Sequence, residues 1–114
     1  MTLRIPTKVP EPGFYYHYKH DPAGPVNNYT YEFIGVGFHT EEVTHFVIYR
    51  PLYDASVSKA ESDLGIPCFD ARPLEMWMGE IEKDGKMMPR FRKITNPSVI
   101  VELEKIKAMK DAVA

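Results

Sequence analysis

Two runs rich in β-branched and aromatic residues, Tyr29 to Phe38 and Thr44 to Tyr53, stand five residues apart, and this pairing constrains the chain more than any other feature. Branched and ring side chains fit a pleated surface, and Pro51 stops the second run by withholding an N–H from the ladder. His39 to Val43 has the length of a hairpin loop. In the first run Thr30, Glu32, Ile34, Val36 and Phe38 alternate with Tyr29, Tyr31, Phe33, Gly35 and Gly37. Both sets carry apolar residues, so the pattern predicts a strand packed on one side and partly covered on the other. Gly35 and Gly37 leave room for a bulge or a bend. Gly35-Val36-Gly37 is not a phosphate loop, because no helix with Lys-Ser/Thr follows it.

The rest of the chain reads as short strands and one helix. Pro6, Pro10 and Pro12 predict an extended arm over residues 1–12. Phe14 to Lys19 predicts a strand, with Phe14, Tyr16 and Tyr18 on one face and Tyr15, His17 and Lys19 on the other. His20 to Asn28 is a loop by turn chemistry, and Asp54 to Asp70 is a long loop with room for a short helix. Met76 to Glu82 and Met87 to Ile94 flank Lys83-Asp84-Gly85-Lys86. Asp-Gly between apolar runs is a strong hairpin signal, and Pro89 confines that strand to an edge or a bulge. From Asn96 the period becomes helical: Asn96 caps, Pro97 suits the first turn, and Val99, Leu103, Ile106, Met109 and Val113 share a face. That face is expected on the sheet or on a partner subunit, since a lone helix of this length is marginal in water. The expected architecture is mainly β, a small roll or open barrel of about five strands over residues 13–95, with a C-terminal helix over residues 96–114.

At 114 residues the chain suits one domain with one modest core. A net charge of −2 argues against a surface that attracts nucleic acid everywhere, although Arg90, Arg92 and Lys93 sit together with Lys83 and Lys86 nearby. No run approaches the ~18 apolar residues of a membrane helix, and the first residues lack the apolar core of a signal peptide. The expected compartment is the cytoplasm. Cys68 is the sole cysteine, which rules out an intrachain disulfide and a Cys-rich metal site. His17, His20, His39 and His45 offer no metal-binding pair, and no cofactor is expected.

Four signatures then occur in order: Gly13-Phe14-Tyr15 with His17-Tyr18-Lys19; Tyr49-Arg50-Pro51-Leu52-Tyr53; Arg72-Pro73-Leu74-Glu75-Met76-Trp77; and Pro89-Arg90-Phe91 after Asp84-Gly85-Lys86. Together they resemble the bacterial DUF1653 family over about residues 13–94. The resemblance implies an SH3-like β-roll and implies no activity, since the family is one of unknown function. The segments around Asp21 to Asn28 and Ala55 to Cys68 are longer than the family's usual loops, Trp77 stands where Phe is frequent, and the helix after Asn96 reads as an extension.

Three groups of residues are candidates for a site. His17 and Lys19 share a strand face and offer a titratable ring beside a cation; the plainer reading puts Tyr18 in the core and those two at the surface. Arg72 and Glu75, with Tyr49, Arg50 and Tyr53 as neighbours through the fold, can grip a carboxylate or phosphate and stack on a ring, or form a structural ion pair at Pro73. The aromatic residues, Trp77 among them, suit either a stacking surface or a core. Cys68 as a nucleophile is the weaker reading beside a packed small side chain. The favoured function is a binding module whose aromatic and arginine face takes a peptide, nucleotide or RNA segment. The alternative is a metabolite sensor or enzyme with a pocket around His17, Arg72 and Glu75. A homodimer through the C-terminal helix is a further expectation.

Overall fold

Strand β1 (Gly13–His17) buries side chains on both faces, and the molecule is built outward from it. The computed structural model describes residues 8–112, so the part of the expected arm in residues 1–7 and the helical position Val113 lie outside the described residues. The two aromatic runs form the long hairpin, β2 (Thr30–His39) and β3 (Thr44–Pro51), closed by a turn in which the Val43 N–H donates to the His39 carbonyl. β2 pairs with β1 only as far as Phe33, opposite Gly13. The pairing of β2 with β3 shifts between Phe33 and Gly35, a bulge that leaves Ile34 as the extra residue. Beyond it Gly37 lets Ile48 pack close: a Cβ there would stand 3.3 Å from the Ile48 side chain, which would have to give slightly.

The segment after Tyr53 forms α1 (Ser56–Leu64) and then an edge strand, β4 (Asp70–Pro73), antiparallel to β3. Pro73 ends that strand, and Leu74 to Trp77 make the single-turn helix α2 rather than the start of a strand. The Asp-Gly hairpin is present as β5 (Glu80–Lys83) and β6 (Lys86–Pro89), a two-stranded sheet of its own. Asp84 at φ 53° and Gly85 at φ 77° are the two left-handed residues of a type I′ turn. Pro89 closes β6, and β7 (Phe91–Lys93) returns to pair with β1. The main sheet is antiparallel throughout, in the order β4-β3-β2-β1-β7.

This sheet curls into a half-barrel, a small SH3-like roll, and Trp77 shows why. Its indole is stacked on Phe91 of β7 at 3.7 Å between ring centres, 4.8 Å from Tyr49 of β3 and 5.4 Å from Tyr15 of β1. One side chain touches the middle and one edge of the sheet because the sheet wraps around it. The concave core is Tyr15, Tyr31, Val47, Tyr49, Leu74, Trp77 and Phe91.

A second core lies on the convex side, under α3 (Pro97–Ala112). Asn96 caps this helix, its Oδ1 accepting from the Ser98 N–H at 2.9 Å. Leu103, fully excluded from solvent, joins Phe14, Leu52 and Ile94, with Val99, Ile100 and Ile106 packed around them. The helix thus uses its apolar row on its own sheet, while Met109 stays exposed. A buried charge cluster fixes it there. Glu32, on the convex face of β2, accepts from Arg50 Nε at 2.7 Å and Lys107 Nζ at 2.6 Å, and Arg50 also reaches Asp111 at 2.9 Å.

Candidate functional site

The strand pairings decide which charged residues share the concave face. Val47 opposite Arg72 and Tyr49 opposite Asp70 put both β4 charges inside, and His17 opposite Phe91 puts the histidine there too. His17 is only 8 % exposed, which corrects the reading that left it at the surface with Tyr18 in the core; Tyr18 is half-buried. The strand ends at His17, where the next residue's N–H turns to the Arg90 carbonyl. Lys19 therefore does not share a strand face with His17. It is exposed at the rim, with its backbone N–H donating to His17 Nδ1 at 3.2 Å.

Around His17 the walls are aromatic. Phe91 meets it edge-on at 5.1 Å, Tyr31 at 6.3 Å, and Tyr29 lies stacked at 5.9 Å. Tyr29 holds φ 46°, an uncommon conformation for a bulky residue, while its carbonyl accepts from the His17 N–H. The Tyr31 and Tyr53 hydroxyls are hydrogen-bonded to each other, and burial pushes both phenols up from the ordinary tyrosine range. Burial likewise raises the Asp70 carboxyl, against the opposing pull of Arg72.

Arg72 spans this wall. Its guanidinium carbon lies 5.3 Å over the Phe91 ring, its Nε donates to the Tyr49 hydroxyl at a long 3.4 Å, and Nη1 reaches Met76 Sδ at 3.5 Å. Among the described residues it forms no ion pair, and neither do Lys19 and Arg90. Arg90 has a buried Nε with no hydrogen-bond acceptor. The field at His17 records these cations: burial first, then Arg72, Lys19 and Arg90, lower its pKa to about 4.

Two expected members of the site stand elsewhere. Arg50 alternates with Tyr49 and so points to the convex side, where Glu32 and Asp111 hold it. Glu75 is exposed on α2 and makes no hydrogen bond to Arg72 or His17. Trp77 is 2 % exposed and serves as core, stacked on Phe91, rather than as an open platform. Conversely Tyr29, Tyr31 and Asp70 belong to the concave face without being expected site residues, and Arg90, expected only as part of a basic strip, joins them. Among the described residues no group of three His, Cys, Asp or Glu side chains is placed to hold a metal ion.

A cleft of about 470 Å³ opens between α1 and α3, with Leu52, Val57, Ile106, Glu61, Cys68 and Lys110 in its wall. Several of its polar groups are engaged within the chain. Glu61 accepts from the Cys68 N–H at 3.0 Å, and Arg50 holds its two carboxylates. The half-buried Arg72 and Arg90, which form no ion pair among the described residues, distinguish the concave rim, and that chemistry outweighs the volume of the cleft.

No curated protein matches this chain. A crystal structure of a protein belonging to DUF1653 from Bordetella bronchiseptica superposes with a TM-score of 0.54 at 26% sequence identity, covering 76% of this chain and 92% of that one. The family model described as "Protein of unknown function (DUF1653)" matches residues 13–93, the span that runs from β1 to the end of β7 and holds every residue of the concave rim. The chain belongs to the DUF1653 family.

Proposed function

We propose that the concave rim binds a nucleotide-type ligand, a phosphate carried next to a planar base, and that the protein acts as a binding module rather than a catalyst. The observation that carries this reading is Arg72, a half-buried guanidinium with no carboxylate partner among the described residues, held over Phe91 with Tyr49 as its only oxygen contact. A cation in such surroundings has lost part of its hydration and gains strongly from a bound anion that accepts two N–H bonds at once. Arg90 and Lys19 add positive charge on the same side, so the favoured ligand is an anion rather than a neutral peptide. Tyr29, exposed at the edge of the aromatic wall, supplies a ring for stacking.

A thermal-shift panel tests this. Nucleoside 5′-monophosphates, short RNA oligomers and acidic peptides would be compared, each with the wild type and Arg72→Ala. Ligand at ~100 times its dissociation constant adds roughly 2.7 kcal/mol, a rise of several degrees for a domain of this size. Stabilisation by phosphate-bearing probes that disappears in Arg72→Ala is the expected result. Stabilisation by acidic peptide alone, or a nucleotide effect indifferent to Arg72→Ala, would overturn it.

A further inference from the structure

The outer half of β2 is an open sheet edge. β1 stops pairing at Phe33, yet β2 continues to His39, so Ile34 to Phe38 has β3 on one side and, among the described residues, no strand on the other. Soluble proteins usually protect such an edge with lysine, proline or other interrupting residues. This segment, Ile-Gly-Val-Gly-Phe, has no charge and no proline. Its three large side chains are Ile34, Val36 and Phe38, at 43 %, 40 % and 44 % exposure.

We infer that this edge pairs with the same edge of a second copy of the chain, forming an antiparallel twofold contact centred on Val36. The sequence of the edge argues for a copy over an unrelated partner, because it reads nearly the same in both directions. Antiparallel pairing about Val36 sets Val36 opposite Val36, Ile34 opposite Phe38, and Gly35 opposite Gly37. Large side chains meet large ones, and glycines meet glycines. Apolar cross-strand pairs of this kind stabilise a sheet, and a twofold contact uses one surface patch on both copies, so it closes at a dimer. Ile48 already lies against Gly37 from β3, so the glycine face is covered within each copy. The contact is small beside ordinary stable interfaces, so the dimer is expected to be weak and concentration-dependent. It uses the free edge of β2, whereas the ligand reading rests on Arg72 of β4, so the two are tested by different variants.

The test is sedimentation of the full chain from micromolar to sub-millimolar concentration, with crosslinking at the predicted axis. The wild type is expected to approach twice the 13.1 kDa chain mass. Val36→Lys and Phe38→Lys are expected to hold it at the monomer mass, and circular dichroism would confirm that at least one of them folds. In a Cys68→Ser background, Val36→Cys should form an interchain disulfide on mild oxidation, since paired positions across an antiparallel contact lie within disulfide reach. Leu64→Cys, on exposed α1 away from the edge, should not. A wild type that stays monomeric, a dimer that survives a folded lysine variant, or Val36→Cys crosslinking no faster than Leu64→Cys would each overturn the inference.

Discussion

The two faces of the sheet hold their half-buried arginines in opposite ways. On the convex face Arg50, Glu32, Lys107 and Asp111 form one connected set that ties α3 to β2 and β3. On the concave face Arg72, over the Phe91 ring, and Arg90 have no carboxylate partner among the described residues. Both faces bury comparable apolar clusters. Packing therefore does not separate structure from function here, whereas charge pairing does. A buried charge whose partners are all present is explained by the fold, and a half-buried one without them is explained by what it would bind.

The largest expected effect tests the concave core. Trp77→Ala removes the ring that Tyr15, Tyr49 and Phe91 surround, and should cost about 3–5 kcal/mol in urea unfolding. A loss no greater than that of a surface substitution would mean the sheet does not depend on this plug. Next comes the convex network. Glu32→Ala removes the carboxylate shared by Arg50 and Lys107, itself only 12 % exposed, and leaves Arg50 with the exposed Asp111 alone. It should cost about 3 kcal/mol, toward the range for breaking a buried pair, whereas Lys107→Ala should cost less than about 1 kcal/mol.

The third prediction uses pH. His17 has a folded pKa near 4, below the 6.5 of an unperturbed histidine, so the unfolded chain takes up the proton first as pH falls. Stability from this residue is fully present above pH 6.5 and is lost progressively toward pH 4, on the order of 2 kcal/mol after allowing for partial solvation. Unfolding curves of wild type and His17→Gln between those limits check it. The wild-type slope should be steeper, and parallel curves would mean that His17 is solvated as an exposed ring is. The smallest stability effect belongs to the residue with the largest proposed effect on binding. Arg72→Ala should change unfolding free energy by less than about 1 kcal/mol, since it breaks no ion pair, while weakening nucleotide binding at least about tenfold, the loss of roughly one charge-assisted hydrogen bond.

What was legible in the sequence follows the range of the forces involved. Both hairpins came through, because turn chemistry at Asp84-Gly85 and the spacing of the two aromatic runs act over a few residues. Asn96 and Pro97 marked the start of α3 for the same reason. Helix α1 gave little signal because it is nine residues long, buries none of them fully, and carries a thin apolar row of Val57, Ala60 and Leu64. The site was harder to read. Strand alternation separates Arg50 from Tyr49 onto opposite faces. Nothing local announces that Arg72 and Arg90 come near His17, because that depends on β4 and β7 joining the sheet at its two edges. Lys19 was misplaced by a short extension of β1, whose end is set by a long-range bond from Tyr18 to Arg90.

The most direct test of the division between faces is a backbone amide NMR titration of the wild type with a nucleoside 5′-monophosphate, repeated with Arg72→Ala and Arg50→Ala. The expected result is a set of shifted amides around His17, Tyr29, Arg72 and Phe91, lost in Arg72→Ala and retained in folded Arg50→Ala. Shifts centred on Glu32, Arg50 and Leu103, or shifts retained in Arg72→Ala, would contradict the assignment of binding to the concave face.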